Sequence, residues 1–139
     1  MISIWIPGTP VAQSRPRFAR RGKFVTTYDA TPAKDYKSWV KACSVEAMAN
    51  QQVELIKRDV PLLVRVMVSL PRPKTLPKKV TQPTKKPDCD NVLKGIQDAM
   101  ESIVYEADQQ IVAVQVRKQY ADTPGVLVMI QPDGFQNTP

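Results

Sequence analysis

The alternation of apolar and polar residues predicts four main strands. Ile2–Ile6 alternates apolar and polar positions, and Leu62–Leu70 is rich in β-branched residues. Ile111–Tyr120 also alternates, and Val126–Ile130 follows a turn-forming run at residues 122–125. The last two strands are therefore predicted to form a hairpin.

Two further stretches have apolar residues at helical spacing. Residues 32–49 follow Thr31, a suitable helix N-cap, and begin with proline, which is favoured at the first helical position. Residues 88–104 carry one apolar stripe. Residues 17–28 have strand propensity and can form an irregular hairpin turning at Gly22. The order predicts a single α/β (α+β) domain over residues 1–139, a mixed sheet with two main helices packed on it.

A proline-rich basic loop interrupts this pattern at about residues 71–87. It holds five prolines and no acid, and proline at that density excludes helix and central strand. A loop of this length inside a small domain usually serves a function. At the other end of the chain, residues 131–139 are predicted to be a frayed tail.

Net charge and composition indicate which class of partner the protein binds. The net charge is +7, from 20 basic and 13 acidic residues, which favours a polyanionic partner. No basic amphipathic helix and no apolar run of roughly 18 residues is present, so nucleic acid is favoured over a membrane. Two cysteines are too few for a disulfide scaffold, and no secretory signal is apparent, so we expect a cytoplasmic protein.

The sequence contains no histidine. This absence excludes nucleases that use imidazole as the general base and zinc sites built on histidine. If the chain hydrolyses phosphodiesters with a metal, the ligands must be oxygen atoms. Such ligands suit Mg²⁺, with Mn²⁺ as a possible substitute.

Three carboxylates are candidates for that role. Asp88 and Asp90 flank one residue at the start of the second helix, and Asp108 precedes the strand that begins near residue 110. If that strand runs beside the helix start, Asp108 can reach back to the pair and complete a site for one or two ions. Lys94, one turn after Asp90, could neutralise charge on the phosphate. Alternatively, Asp88 and Asp90 only cap the helix, and Asp108 is a turn residue.

Two basic segments are candidates for phosphate contacts. The first lies near the N-terminus and interleaves with phenylalanines, and the second is the basic loop. A solvated surface is the alternative for both. The candidate DNA-binding residues are Arg15, Arg17, Arg20, Arg21, Lys23, Arg72, Lys74, Lys78, Lys79, Lys85 and Lys86.

The run 88–94, DCDNVLK, followed by Asp98-Ala99 and by residues 104–111, VYEADQQI, resembles the RusA family of Holliday junction resolvases. The opening PGTP and RPR at residues 7–10 and 15–17 is also similar. This resemblance implies a homodimeric, Mg²⁺-dependent endonuclease that cuts four-way junctions in DNA recombination and repair. By position it implies that Asp88, Asp90 and Asp108 hold the metal and that these residues and Lys94 are catalytic. Ala107 departs from relatives that carry a second acid there.

Other functions remain open from the sequence. One is a non-catalytic DNA-binding module that keeps the basic surfaces, and another is a flap or single-strand nuclease with the same carboxylates. A purely structural domain is a third, in which the acids are only caps. A bacterial, phage or prophage origin is expected in each nuclease case.

Overall fold

The computed structural model describes residues 1–13, 17–21, 24–28 and 31–134. It confirms an α+β domain with one mixed sheet and two helices. The elements in chain order are β1 Ile2–Pro7, β2 Arg17–Arg21, β3 Phe24–Tyr28, α1 Thr31–Asn50, β4 Leu62–Leu70, α2 Cys89–Met100, a 3₁₀ turn Asp108–Gln110, β5 Ile111–Tyr120 and β6 Gly125–Pro132.

The main sheet has the strand order β1-β6-β4-β5. β6 is antiparallel to both β1 and β4, and β5 is parallel to β4. The predicted hairpin of β5 with β6 is therefore wrong. The physical reason is visible in β4, which is mostly buried and takes a partner on each side, whereas the alternating β5 is only partly buried, as suits an edge strand.

Both helices contribute to a single apolar core with the sheet. Ile4, Val66 and Val128 come from three neighbouring strands, and Val40 of α1 and Ile96 of α2 belong to the same buried cluster. Each of these side chains is almost completely buried. This packing fixes α2, and with it the candidate residues at its start, against the sheet.

Two element ends differ from the prediction by more than one residue. α2 stops at Met100 and not at residue 104, because Ser102 adopts a left-handed backbone (φ 71°) that ends the helix. The predicted tail at 131–139 is partly wrong, since Gln131 and Pro132 belong to β6 and the Asp133 amide donates to the Pro61 carbonyl at 2.8 Å. Residues 135–139 lie outside the described part.

The small hairpin predicted near the N-terminus is confirmed as paired strands. β2 and β3 run antiparallel, with Arg17 opposite Tyr28 and Arg21 opposite Phe24. The predicted turn residue, Gly22, lies outside the described residues.

Gly125 is expected to tolerate no side chain. A Cβ built there would overlap the Trp5 ring and lie 2.9 Å from the Ile6 carbonyl oxygen. Gly125→Ala should therefore lower the free energy of unfolding by about 1–3 kcal/mol, measured by urea denaturation. Gly134→Ala, where a Cβ meets nothing within 4 Å, is the matched control. Equal stability of the two variants would contradict this packing.

Candidate active site

The start of α2 lies at one end of the sheet, which we call the upper end. It is the end where β4 and β5 finish, and the basic loop (residues 71–87) leaves β4 there. Lys118, near the end of β5, donates from Nζ to the Pro87 carbonyl at 3.0 Å. The Gln13 amide donates to the Asn91 carbonyl at 3.2 Å, which holds the first turn of α2 at the same end.

Asp88 precedes α2 without capping it through its side chain. Its backbone is extended (φ −75°, ψ 144°), and its carbonyl accepts the Val92 amide at 3.2 Å. The carboxylate has one long contact, 3.5 Å from Oδ2 to Asn91 Nδ2. The conventional capping role is therefore not used, and both the Asp88 and Asp90 side chains are exposed to incoming groups.

Lys94 is exposed on α2, one turn after Asp90. Within the described ranges the recorded salt bridge is Arg58 with Glu106, 3.1 Å between Nε and Oε2, far along the chain from this site. Asp88, Asp90 and Lys94 thus form no ion pair there. Their charges are available to an external ligand.

Asp108 lies at the opposite, lower end of the sheet. Because β5 is parallel to β4, it begins at the lower end, whereas α2 begins at the upper end and runs down towards it. The 12 residues of α2 span about 18 Å. The expectation that Asp108 reaches back to Asp88 and Asp90 within one chain is therefore wrong. Consistently, no three acidic or cysteine side chains in the described part of the chain lie close enough together to hold a metal ion.

Asp108 has acidic neighbours of its own around Tyr105. The Tyr105 hydroxyl is buried and donates to the Gln97 carbonyl at 2.8 Å. Burial raises the pKa of this hydroxyl, and the charges of Asp108, Glu101 and Asp98 raise it further. Asp98 and Glu101 are thus partly buried near the lower end. Sequence reasoning did not single out Tyr105.

The basic loop is held against β5 by two cations. Arg72 donates from Nη1 to the Val80 carbonyl at 2.6 Å and from Nη2 to the Pro77 carbonyl at 2.8 Å. Its guanidinium also lies 5.6 Å from the centre of the Tyr120 ring, a cation–π contact. Arg72, predicted to contact DNA, therefore braces the loop from within.

Lys118 is the second brace, and sequence reasoning missed it. Besides Pro87, it donates to the Lys85 carbonyl at 2.8 Å. The available signal was a lysine on the same face of β5 as Val112, Val114 and Val116. A partly buried cation on an apolar face needs acceptors, and here the loop carbonyls supply them.

The other predicted DNA-binding residues have different placements. The side chains of Lys74, Lys78, Lys79, Lys85 and Lys86 are exposed on the loop. Arg17, Arg20 and Arg21 lie on β2. Arg15 and Lys23 lie outside the described residues.

Removing the Arg72 brace is expected to loosen the loop. Arg72→Met deletes two hydrogen bonds to carbonyls and the contact with Tyr120, so trypsin should cut after Lys78 and Lys79 faster by about fivefold or more. Mass spectrometry of timed digests measures the rates. Lys74→Met removes an exposed charge from the same loop and serves as the control. Equal digestion of both variants would contradict the bracing role.

Comparison with known proteins places the chain in a family. The model of Endodeoxyribonuclease RusA matches residues 7–131, so the chain belongs to the RusA endodeoxyribonuclease family and is a nuclease. Among its relatives, "Uncharacterized protein YqaN" of Bacillus subtilis (strain 168) is 33% identical over 138 residues, 94% of this chain and 95% of that protein. None of the helices in the described ranges has the length and apolar character to cross a membrane.

Proposed function

We propose that this protein is a cytoplasmic, metal-dependent endonuclease that cuts four-way junctions and other branched DNA in recombination and repair. The observation that carries the proposal is the pair Asp88 and Asp90. Both carboxylates are exposed and form no ion pair among the described residues, and they follow directly on a braced basic loop. Membership of the RusA family supports the nuclease class.

The positive charge of the basic loop attracts the DNA strand. Its exposed lysines include Lys85 and Lys86, which end two residues before Asp88. Phosphates attracted to these cations displace bound counterions and bring a backbone to the start of α2. Lys94 then lies on the same helix as Asp90 and can balance charge that develops on the attacked phosphate.

The donor set suits a hard cation. Asp88 and Asp90 offer exposed carboxylate oxygens, the ligands preferred by Mg²⁺ and Mn²⁺. When bound, such an ion supplies an activated water and stabilisation of the leaving oxygen. Two carboxylates make an incomplete site, and the third candidate, Asp108, is at the far end of α2 in the same chain.

A homodimer resolves this distance. A two-fold axis perpendicular to β5 places the β5 strands of two copies side by side and antiparallel. The lower end of the second copy then lies beside the upper end of the first. Asp108 of the second copy then approaches Asp88 and Asp90. β5 is an edge strand, and its Val112 and Val114 are 58% and 43% exposed, which provides apolar surface for the contact. We propose this strand as part of the dimer interface.

Mixing two inactive variants tests the shared site. Asp90→Asn and Asp108→Asn are each expected to lower the rate of cutting by about a hundredfold or more as homodimers. In a mixed dimer, one site carries both changes and the other carries none, so an equal co-expressed mixture should recover about a quarter of the wild-type nicking of a four-way junction. The readout is single-strand nicks, because each mixed dimer holds one complete site.

The outcomes separate the two parts of the proposal. If the mixture stays inactive while the wild-type protein cuts, Asp108 does not act across the dimer. If the wild-type protein leaves four-way junctions, flaps and single strands intact with both Mg²⁺ and Mn²⁺, the endonuclease proposal is wrong. Faster cutting of flaps or single strands than of junctions would instead favour a flap or single-strand nuclease.

A further inference from the structure

A cavity of about 590 Å³ opens between the basic loop and the end of β5. Its walls are mainly apolar and come from the loop and the adjoining strand ends. Two of the lining side chains are cationic and none is acidic. The lining residues are Thr9, Pro10, Leu70, Pro71, Pro73, Thr75, Leu76, Pro77, Pro83, Lys85, Lys86, Pro87 and Tyr120.

The cavity is built before any ligand arrives. Arg72 fixes one side of the loop through the carbonyls of Pro77 and Val80, and it lies over Tyr120. Lys118 fixes the other side through the Lys85 and Pro87 carbonyls. Walls that are already ordered lose little conformational freedom on binding, so even a small ligand can be held.

The chemistry of the lining selects one kind of ligand. Tyr120 and the prolines offer apolar faces on which a planar ring can stack, and Lys85 and Lys86 attract phosphate. A base in a duplex has both faces covered and its edge paired, so it cannot enter. An unpaired nucleotide at a branch point has its ring free, at a lower cost of unstacking.

We propose that this cavity, which we call the loop pocket, receives one unstacked nucleotide of the branched DNA. Its lining reaches Pro87, the residue before Asp88, so an occupied loop pocket would set which phosphate lies at the carboxylates. This inference rests on the proposed function, and it identifies how that function would choose branched over regular DNA. Tyr120 is then a substrate-binding residue.

Photo-cross-linking tests this contact directly. The protein is full-length Asp90→Asn, and the probe is a four-way junction with 5-iododeoxyuridine at one nucleotide, either at the branch point or in the middle of an arm. On irradiation, we expect the branch-point probe to cross-link to the peptide that contains Tyr120, as identified by mass spectrometry, and the arm probe not to do so. Tyr120→Phe in the same background keeps the ring and should retain the cross-link.

Affinity measurements with Tyr120→Leu separate base binding from loop support. The loss of stacking should weaken junction binding about tenfold and leave regular duplex binding unchanged. An equal loss on both DNAs would overturn the proposal, because Tyr120 would then only support the loop. Two cross-linking results would also overturn it: an equal yield from the arm probe, or cross-links found only in other peptides. If the wild-type protein still binds and cuts the junction, the nuclease proposal stands in both cases. A protein that neither binds nor cuts branched DNA would overturn both.

Discussion

Asp90→Asn is expected to lower the rate of four-way junction cleavage by about a hundredfold to a thousandfold while leaving junction affinity nearly unchanged. Asparagine keeps the size of the side chain and suits the first turn of α2, but it lacks the charge that a divalent cation requires. Binding depends chiefly on the lysines of the basic loop, which this change leaves intact. Single-turnover cleavage with Mg²⁺ and gel shifts without metal measure the two effects.

The control for this experiment is Glu46→Gln. Glu46 is also exposed, and it lies on α1, which packs against β1 at the edge of the sheet opposite β5. It removes the same charge from the chain, so any general effect of net charge on DNA binding appears equally in both variants. Cleavage by Asp90→Asn within about threefold of the control would remove Asp90 from the proposed site.

Gln110→Ala is expected to cost about 2–4 kcal/mol in the free energy of unfolding. Gln110 is only 6% exposed. Its Nε2 donates to the Lys57 and Val60 carbonyls at 2.8 and 3.0 Å, and its Oε1 accepts the Ala107 amide at 3.0 Å. Alanine leaves all three backbone groups without this partner and opens space beside them.

Gln109→Ala provides a closely matched control, because Gln109 is the adjacent residue in the same 3₁₀ turn and is exposed. Urea denaturation of both variants gives the difference in unfolding free energy. Similar midpoints for the two would show that the buried amide contributes nothing. Since Gln110 also orders the turn that carries Asp108, we expect Gln110→Ala to slow cleavage at temperatures where the protein is still folded.

The local pattern of the sequence predicted most elements, and the errors concern which elements meet. Leu62–Leu70 and Ile111–Tyr120 have the predicted bounds, because apolar content and alternation are properties of each strand alone. The turn signal at 122–125 is real, yet it does not say which strand lies beside which. β6 passes β5 and inserts between β1 and β4.

The expectation that Asp108 lies beside Asp88 and Asp90 within one chain was wrong for the same reason. Its distance from Asp88 depends on β5 being parallel to β4, a long-range choice that no run of residues encodes. The sequence also did not predict that Arg72 braces the loop. An arginine in a basic loop can bind either phosphate or the backbone carbonyls of the loop, and the sequence pattern is the same in both cases. The exposure of Asp88 and Asp90 agrees with the sequence, which placed them at the start of a helix.

The central place of β6 also affects how the chain folds during synthesis. A ribosome delivers β1, β4 and β5 before β6, yet β1 pairs in this sheet with β6 alone. Until Gly125–Pro132 emerges, the inner edges of β1 and β4 have no partner, and their apolar faces are available for wrong contacts. Nascent chains released before this strand should therefore aggregate or be degraded, and completion of the sheet is a late, cooperative event.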